Sequence, residues 1–210
     1  MATAEVDHPL FARFWRGLTR VEPRAVRDRR RELLAGLSGR VIEVGAGSGT
    51  NFPFYPGEVT EVLAVEPEPY LRELALEAAA RAPVPVTVVD GVADALPAPD
   101  GAFDAAVASL VLCSVPDQGR ALAELRRVLR SGGELRYLEH VRADTPLLAR
   151  TQRLVDRLFW PRAFGGCHTH RDTGTAIATA GFQVERQQAI RMSPGVVPTA
   201  PGIIGSARKI

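Results

Sequence analysis

The sequence predicts a single α/β domain around a doubly wound, mostly parallel sheet of seven strands, with an antiparallel strand at the C-terminal end and helices on both faces. Three observations predict this fold. Short buried strands alternate with amphipathic helices along most of the chain, a glycine-rich turn directly follows the first strand, and no repeat or domain linker interrupts this order. The 210 residues, of which 46% are hydrophobic, suit one domain with a substantial core.

Residues 1–39 predict two helices that form an N-terminal lid. The first helix carries an apolar stripe at helical spacing between arginines, formed by Phe11, Phe14, Trp15 and Leu18. We expect it to fold over the pocket with Trp15 against the substrate, and weak contact with a membrane surface is the alternative. The second helix ends at Gly36 or Gly39. Its arginines, which we interpret as a solvent-exposed face, are Arg24, Arg27, Arg29, Arg30 and Arg31.

Strands and helices then alternate over residues 40–210. Apolar runs predict strands at residues 41–44, 62–66, 84–89, 103–109, 135–141, 182–190 and 203–210. Helical spacing predicts helices at residues 71–81, 120–130, 147–159 and 172–180, and a proline-rich segment joins the last two strands. Ligands of such sheets bind beyond the C-terminal ends of the strands, so we expect the functional residues there.

The composition excludes several classes of partner. A net charge of +2 favours neither nucleic acid nor an acidic membrane, and we predict no nucleic-acid binding. No stretch approaches 18 uninterrupted apolar residues, so no transmembrane segment is expected. The two cysteines are too few for a disulfide framework and no leader pattern is present, which predicts a reducing, cytoplasmic location. The sequence leaves the oligomeric state open.

The glycine-rich turn, residues 41–51, reads Val-Ile-Glu-Val-Gly-Ala-Gly-Ser-Gly-Thr-Asn. Gly45, Gly47 and Gly49 leave the backbone bare, so that the peptide itself forms the binding surface. A dinucleotide site has Gly-x-Gly-x-x-Gly instead, which places a pyrophosphate at a helix N-terminus. Glu43 is an acceptor-only side chain that would repel phosphate and attract an ammonium group. The turn therefore favours S-adenosylmethionine over NAD.

Residues at the ends of the next three strands predict the rest of the nucleoside site. Glu66 lies 17 positions after Gly49 and Pro67 stops its strand, so its carboxylate is placed to accept from ribose hydroxyls; a solvated acid before a turn is the alternative. The third strand leads to an expected adenine contact through backbone groups, aided by Asp90 or Asp94. The residues expected there are Gly91, Val92 and Ala93, and Ser109 and Leu110 after the fourth strand are expected beside the methyl donor or in the core.

Over residues 40–140 these motifs resemble the class I S-adenosylmethionine-dependent methyltransferases. The resemblance implies a Rossmann-like fold and a donor site that includes Glu66 and the glycine turn, the latter through Glu43, Gly45, Ala46, Gly47 and Gly49. The stretch Ala-Leu-Ala-Glu-Leu-Arg-Arg-Val-Leu-Arg-Ser-Gly-Gly, residues 121–133, resembles the family's helix and turn before the fifth strand. Val92 stands where the family often has aspartate, so adenine recognition would depend on the backbone there.

A narrower resemblance extends over nearly the whole chain. The phrases Ser-Leu-Val-Leu-Cys-Ser-Val at residues 109–115, Leu-Glu-His-Val at 138–141 and Gly-Cys-His-Thr-His-Arg-Asp-Thr at 166–173 are similar to the methyltransferase-like branch that includes thiol S-methyltransferases. Asn51 also matches the pattern of that branch after the glycine turn. Thr169 and His170 replace its Leu-Thr pair. The resemblance implies a small-molecule acceptor, and a thiol is favoured over O- or N-methylation of a metabolite or phospholipid head group.

The acceptor side is predicted from the same phrases. His140 is the first catalytic candidate and Glu139 the second, and since neighbours in a strand point to opposite faces, only one of them can face the pocket. Cys167, His168 and Arg171 are expected to line the acceptor pocket, with Arg171 anchoring the loop. An ordinary turn before a helix capped by Asp172 or Thr173 is the alternative. No metal is expected, because Cys167, His168 and His170 are spaced too tightly for a zinc site, and Cys113 is expected in the core. A non-catalytic S-adenosylmethionine-binding module is the alternative from another class of protein.

Overall fold

The computed structural model describes residues 23–192 and 198–210, together with Gly17. Within these residues the strands form a seven-stranded sheet. The strands are β1 (Gly39–Val44), β2 (Val59–Val65), β3 (Val86–Val89), β4 (Phe103–Ser109), β5 (Leu129–His140), β6 (Phe182–Arg191) and β7 (Pro201–Lys209). The helices are α1 (Arg24–Leu34), α2 (Pro69–Ala79), α3 (Gln118–Val128), α4 (Pro146–Leu158), α5 (Trp160–Ala163) and α6 (Thr173–Thr179), and a 3-10 turn spans Phe52–Phe54.

The strand order is β3-β2-β1-β4-β5-β7-β6. Strands β1 to β5 pair in parallel, whereas β7 lies antiparallel between β5 and β6. The predicted Rossmann-like sheet with an antiparallel C-terminal strand is thus confirmed. The order reverses between β1 and β4, and the turns that follow these strands meet there. This switch point is where open α/β sheets bind their ligands.

Helix α1 is part of the packed core. Leu33 and Leu34 are at most 1% exposed and pack in a cluster with residues of β1 and β2. The predicted lid of residues 1–39 therefore does not extend to α1, because lifting this helix would expose the buried leucines to water. Residues 1–16 and 18–22, including Trp15, lie outside the described residues.

Strand β5 differs from its predicted bounds. The expected helix at residues 120–130 ends at Val128, and β5 begins at Leu129, which pairs with Phe103, instead of at residue 135. Gly132, with φ of 71°, turns the chain within this stretch, and the register against β4 shifts before pairing resumes at Glu134. None of the helices in the described part of the chain is long and apolar enough to cross a membrane.

Candidate active site

The glycine turn requires its glycines for packing as well as for access to the backbone. Gly45, Gly47 and Gly49 have φ of 63°, 57° and 76°, a region that favours glycine. A Cβ atom on Gly45 would lie 2.3 Å from the Val111 side chain, and one on Gly49 would lie 2.7 Å from the Phe52 ring. The turn begins directly after β1, where the Gly45 N–H donates to the Val65 carbonyl at 2.8 Å.

Glu66 lies at the C-terminal end of β2 and holds the glycine turn. It is 5% exposed, and its Oε2 accepts from the Gly47 N–H at 2.7 Å while Oε1 accepts from the Glu68 N–H at 3.0 Å. Burial raises the pKa of Glu66 to about 6, although both backbone hydrogen bonds oppose this shift. A carboxylate has about four acceptor positions. With respect to the described residues, two of them therefore stay available for hydroxyl donors.

Glu43 forms a buried polar network beneath the turn. Its carboxylate accepts from Tyr55 Oη at 2.6 Å and from Asn51 Nδ2 at 2.8 Å. Burial raises the pKa of Glu43 to about 7, against the opposing effect of these two hydrogen bonds and of the Arg30 charge. Glu43 is only 2% exposed, so its predicted attraction for an ammonium group would act through the network as much as by direct contact.

Arg30 joins this network and corrects one interpretation of the sequence. Its Nη1 donates to Asn51 Oδ1 at 2.8 Å and to Ser109 Oγ at 3.2 Å, and the residue is only 3% exposed. The solvent-exposed face holds for Arg24, Arg27 and Arg31 but is wrong for Arg30. A sequence signal was present, because Arg30 precedes the buried Leu33 and Leu34 by three and four positions and so shares their face of the helix.

The residues predicted to contact adenine follow β3 in a tight turn. Gly91, Val92 and Ala93 are partly buried, and Val92 forms an isolated bridge with Ala95. Of the two predicted side-chain acceptors, Asp90 pairs with Arg72 at 3.0 Å, and Asp94 lies 4.0 Å from Arg120, beyond hydrogen-bond distance. Both carboxylates keep acceptor positions, so adenine recognition through the backbone, aided by one of them, stays a prediction.

Glu139 holds the backbone that follows β4. Leu110 has φ of 61°, and among the described residues it is the only one besides glycines with a positive φ. After this turn the N–H groups of Val111, Leu112 and Cys113 all donate to the Glu139 carboxylate, at 3.0, 2.9 and 3.1 Å. Burial raises the pKa of this fully buried carboxyl, and the three hydrogen bonds oppose the shift. This geometry favours a positioning role over the predicted catalytic one.

His140, the next residue of β5, lies beside both cysteines. Its Nδ1 is 3.8 Å from Cys113 Sγ and 3.7 Å from Cys167 Sγ, and the two sulfurs are 3.9 Å apart. Cys113 is buried, as expected, and Cys167 is 7% exposed. The pKa of the Cys113 thiol is raised well above its usual range, chiefly by its hydrogen bond with Cys167 and by burial. No local pattern in the sequence indicates this cluster, since an apolar phrase around Cys113 predicts only a buried residue in the core.

The loop after α5 brings Cys167 to this cluster. The His168 N–H donates to the Cys113 carbonyl at 2.8 Å, and Arg171 Nη1 donates to the Leu112 carbonyl at 2.7 Å. Burial, with a smaller effect of the Arg171 charge, lowers the pKa of His168. Asp172 caps α6 through the Thr175 N–H at 3.2 Å. Arg171 thus anchors the loop to the backbone that follows β4, while its predicted place in the acceptor pocket stays a prediction.

Asp156 on α4 is a second positioning residue, and no pattern in the sequence indicates it. Its carboxylate accepts from the Thr169 N–H and Oγ1 at 3.0 and 2.9 Å, and from the His170 N–H at 2.9 Å. Thr169 is fully buried. The carboxylate therefore fixes the loop that carries Cys167 to one face of α4.

These features fit S-adenosylmethionine. The bare glycine turn, which side chains would fill, lies beside the partly unused acceptor capacity of Glu66 at the switch point of the sheet. The fold and this site define a class I S-adenosylmethionine-dependent methyltransferase.

Comparisons with known proteins agree with this class. The family model described as "Methyltransferase domain" matches residues 42–137. Thiol S-methyltransferase TMT1B of Homo sapiens is 34% identical, over 91% of this chain and 83% of that protein. Phosphatidylethanolamine N-methyltransferase of Cereibacter sphaeroides is 32% identical, over 75% of each chain. The crystal structure of an S-adenosylmethionine-dependent methyltransferase from Thermotoga maritima, described as a possible histamine N-methyltransferase, is also similar, with a TM-score of 0.69. The two sequences are 24% identical, and the match covers 96% of this chain and 98% of that chain. This likeness supports the fold alone.

The chain belongs to the class I S-adenosylmethionine-dependent methyltransferases, in the branch that includes the thiol S-methyltransferases. It is a small-molecule methyltransferase, and S-adenosylmethionine is its expected cofactor.

Proposed function

We propose that this enzyme transfers the methyl group of S-adenosylmethionine to the sulfur of a small thiol. The observation that carries the proposal is the 34% identity, over 91% of the chain, with a protein named as a thiol S-methyltransferase. The position of His140 supports it, because a ring nitrogen and two sulfurs lie together at the C-terminal edge of the sheet. That edge is where an acceptor would meet the donor.

We assign the donor to the switch point. The backbone of Gly45, Ala46, Gly47 and Gly49 forms the surface, and Glu66 accepts from the ribose hydroxyls. Glu43, Asn51 and Ser109 act as one network that shapes the methionine side, while Pro67, Gly91, Val92, Ala93 and Leu110 complete the nucleoside side. Hydrogen bonds from Asn51 and Tyr55 to Glu43, and from Arg30 to Asn51 and Ser109, join the network. Glu43 and Asn51 are buried, so its geometry is set before the donor arrives.

We place the acceptor beside His140, Cys167, His168 and Arg171, with Trp15 as the proposed cover. When bound, S-adenosylmethionine supplies a methyl group activated by its sulfonium. The residues of the chain have to orient the incoming sulfur and exclude water, and good orientation lowers the barrier by roughly 7–11 kcal/mol. A proton acceptor typically adds a factor of about 10²–10⁴. Positioning is therefore the larger contribution. A reducing compartment such as the cytoplasm suits the proposal, because Cys113 and Cys167 are then free thiols.

N-methylation of a phospholipid head group is a second candidate. It is favoured by the 32% identity with the phosphatidylethanolamine N-methyltransferase over 75% of the chain. This function requires an amine acceptor at a lipid surface, so it predicts activity on phosphatidylethanolamine vesicles and none on water-soluble thiols.

An acceptor panel separates these functions. Purified protein and S-adenosylmethionine labelled in the methyl group are incubated with small alkyl and aryl thiols, with the matched alcohols and amines, and with phosphatidylethanolamine vesicles. The proposal expects label in the thioether products. Transfer to alcohols, amines or vesicles without any thiol product would refute it. Donor binding in calorimetry without turnover on the panel would instead favour the non-catalytic binding module.

A further inference from the structure

Three potential metal ligands from distant parts of the chain lie together at the C-terminal edge of the sheet, where we place the acceptor. Cys113 follows β4, His140 ends β5, and Cys167 lies in the loop after α5. Their ligand atoms, two Sγ atoms and Nδ1, lie within 4.8 Å of one another. The cluster differs from the zinc set considered in the sequence, because His168 and His170 are not members and Cys113 is.

The three separations match the edges of one tetrahedral metal site. Zinc lies about 2.3 Å from a thiolate sulfur and about 2.0–2.1 Å from an imidazole nitrogen. At tetrahedral angles these lengths place two sulfurs about 3.8 Å apart and a sulfur and a nitrogen about 3.6 Å apart. The observed separations are 3.9 Å for the sulfur pair and 3.8 and 3.7 Å for the sulfur–nitrogen pairs. A disulfide needs about 2.05 Å between sulfurs, which is far shorter than this spacing.

The surrounding backbone holds each ligand in place. The Cys113 N–H donates to Glu139 at 3.1 Å, and the Cys113 carbonyl accepts from the His168 N–H at 2.8 Å, directly beside Cys167. Asp156 fixes the next two residues of that loop. Such support, which orients ligands before the ion binds, is typical of protein metal sites.

The ligand set selects the ion and leaves one position open. Two thiolates and one neutral imidazole neutralise a divalent ion, and soft sulfur ligands with an imidazole favour zinc. Among the described residues no fourth cysteine, histidine, aspartate or glutamate belongs to the cluster. Three protein ligands with an open fourth position are typical of catalytic zinc, whereas structural zinc has four.

We propose that Cys113, His140 and Cys167 bind Zn²⁺ and that the acceptor thiol is its fourth ligand, a step that rests on the proposed thiol methylation. On coordination the thiol releases its proton to solvent water. The sulfur lone pair then forms the new carbon–sulfur bond as the bond between the methyl group and the sulfonium breaks, which leaves a thioether and S-adenosylhomocysteine. In this assignment His140 acts as a ligand, and the metal takes over the activation of the thiol that the sequence assigns to a base.

The metal site is tested first without turnover. Reduced protein, stripped with a chelator, is titrated with Zn²⁺ against a chromophoric competitor, and we expect one equivalent bound with sub-micromolar affinity. Cys113→Ser, Cys167→Ser and His140→Ala should each weaken zinc binding at least about 100-fold, more than the loss of a supporting residue does. His170→Ala, in the same loop but outside the cluster, is the matched control and should bind zinc as the wild type does. Donor affinity reports whether each variant is folded.

The unmodified protein supplies a second measurement. Co²⁺ in place of Zn²⁺ should give a sulfur-to-cobalt charge-transfer band and tetrahedral ligand-field bands, and adding a small thiol should shift those bands. A reduced, donor-binding protein that takes up neither ion would overturn the proposal, and a Cys113–Cys167 disulfide formed in that protein on exposure to air would identify a redox pair instead. If no added thiol shifts the cobalt bands, the proposal that the acceptor thiol occupies an open fourth position on the metal is wrong.

Failure of the two proposals is distinguishable. Zinc uptake that the three variants abolish, in a protein that methylates only amines or alcohols, refutes thiol methylation and retains the metal site. Thiol methylation at full rate by the zinc-free protein retains the proposed function and overturns zinc as the group that binds the acceptor.

Discussion

Replacing Glu43 with glutamine should remove most of the decrease in the free energy of unfolding that the wild type shows between about pH 4.5 and pH 7. The wild-type carboxyl has a pKa of about 7 in the folded protein against an ordinary value of 4.5. Because the folded pKa is the higher one, the folded state keeps a proton that the unfolded state has already lost, and stability falls as the pH rises from about 4.5 to about 7. A difference of about 2.5 pKa units, at 1.36 kcal/mol each, corresponds to about 3 kcal/mol.

The glutamine side chain preserves the network that Glu43 forms. Its amide oxygen can accept from Asn51 Nδ2, and its amide nitrogen can donate to Tyr55 Oη, whose hydroxyl also accepts. The two proteins should therefore have similar free energies of unfolding near pH 4.5, and the variant should be more stable by up to about 3 kcal/mol at pH 8. Glu66, with a pKa of about 6, contributes in the same direction in both proteins. Its charge is a minor cause of the raised pKa of Glu43, so the two contributions are coupled and the Glu66 contribution cancels only to first order.

The assay is urea unfolding followed by circular dichroism at half-unit steps between pH 4.5 and 8. Glu73→Gln, on the exposed face of α2, is the matched control and should give the wild-type profile. If the free energies of unfolding of the wild type and of Glu43→Gln change in parallel over this pH range, Glu43 does not titrate with a raised pKa in the folded protein, and the reasoning is refuted.

Substitutions at three further residues test the site, and Gly57 serves as a control position. Glu66→Ala should weaken donor binding about 10- to 100-fold in calorimetry, the loss expected for a charged acceptor of hydroxyl groups, and unchanged affinity would exclude the ribose contact. Glu139→Ala should lower the free energy of unfolding by at least about 3 kcal/mol, because it leaves three buried N–H groups unpaired. Glu139→Gln retains an acceptor oxygen, so its free energy of unfolding should fall by about half as much. Equal losses in the two variants would contradict this account. Gly45→Ala should cost more than about 2 kcal/mol, since the new Cβ meets Val111 at a positive φ, while Gly57→Ala has open space and should stay within about 0.5 kcal/mol in the same unfolding assay. A similar cost at both glycines would show that the turn is not closely packed.

The sheet and the donor side were predictable because their signals are local. Strand and helix periodicities differ within a few residues, and the spacing of Gly45, Gly47 and Gly49 lies within one turn. Glu66 could be placed because parallel strands end at the same edge of the sheet. For these features the pattern of neighbouring residues, together with the parallel order of the strands, carries the information.

The acceptor side was less predictable because its contacts join distant segments. Cys113 and Cys167 are separated by 54 positions, and no local pattern indicates that their sulfurs meet. Asp156 is recognisable as a loop anchor only once α4 is placed against residues 169 and 170. The alternation of side chains along a strand predicts that Glu139 and His140 point to opposite faces of the sheet. It does not show which of the two faces the pocket, because that depends on where the turn at Leu110 directs the N–H groups that bind Glu139.

The bridge that Arg30 makes between α1, Asn51 and Ser109 has a consequence for how the donor is exchanged. Opening the site by swinging α1 outward would break buried hydrogen bonds of a charged group and expose Leu33 and Leu34 at once. The backbone amides of α1 should therefore exchange with deuterium as slowly as those of the central strands, whether or not the donor is bound. Entry and release of S-adenosylmethionine then have to proceed past a helix that stays in place, so the rate of donor dissociation is decoupled from the unfolding of α1.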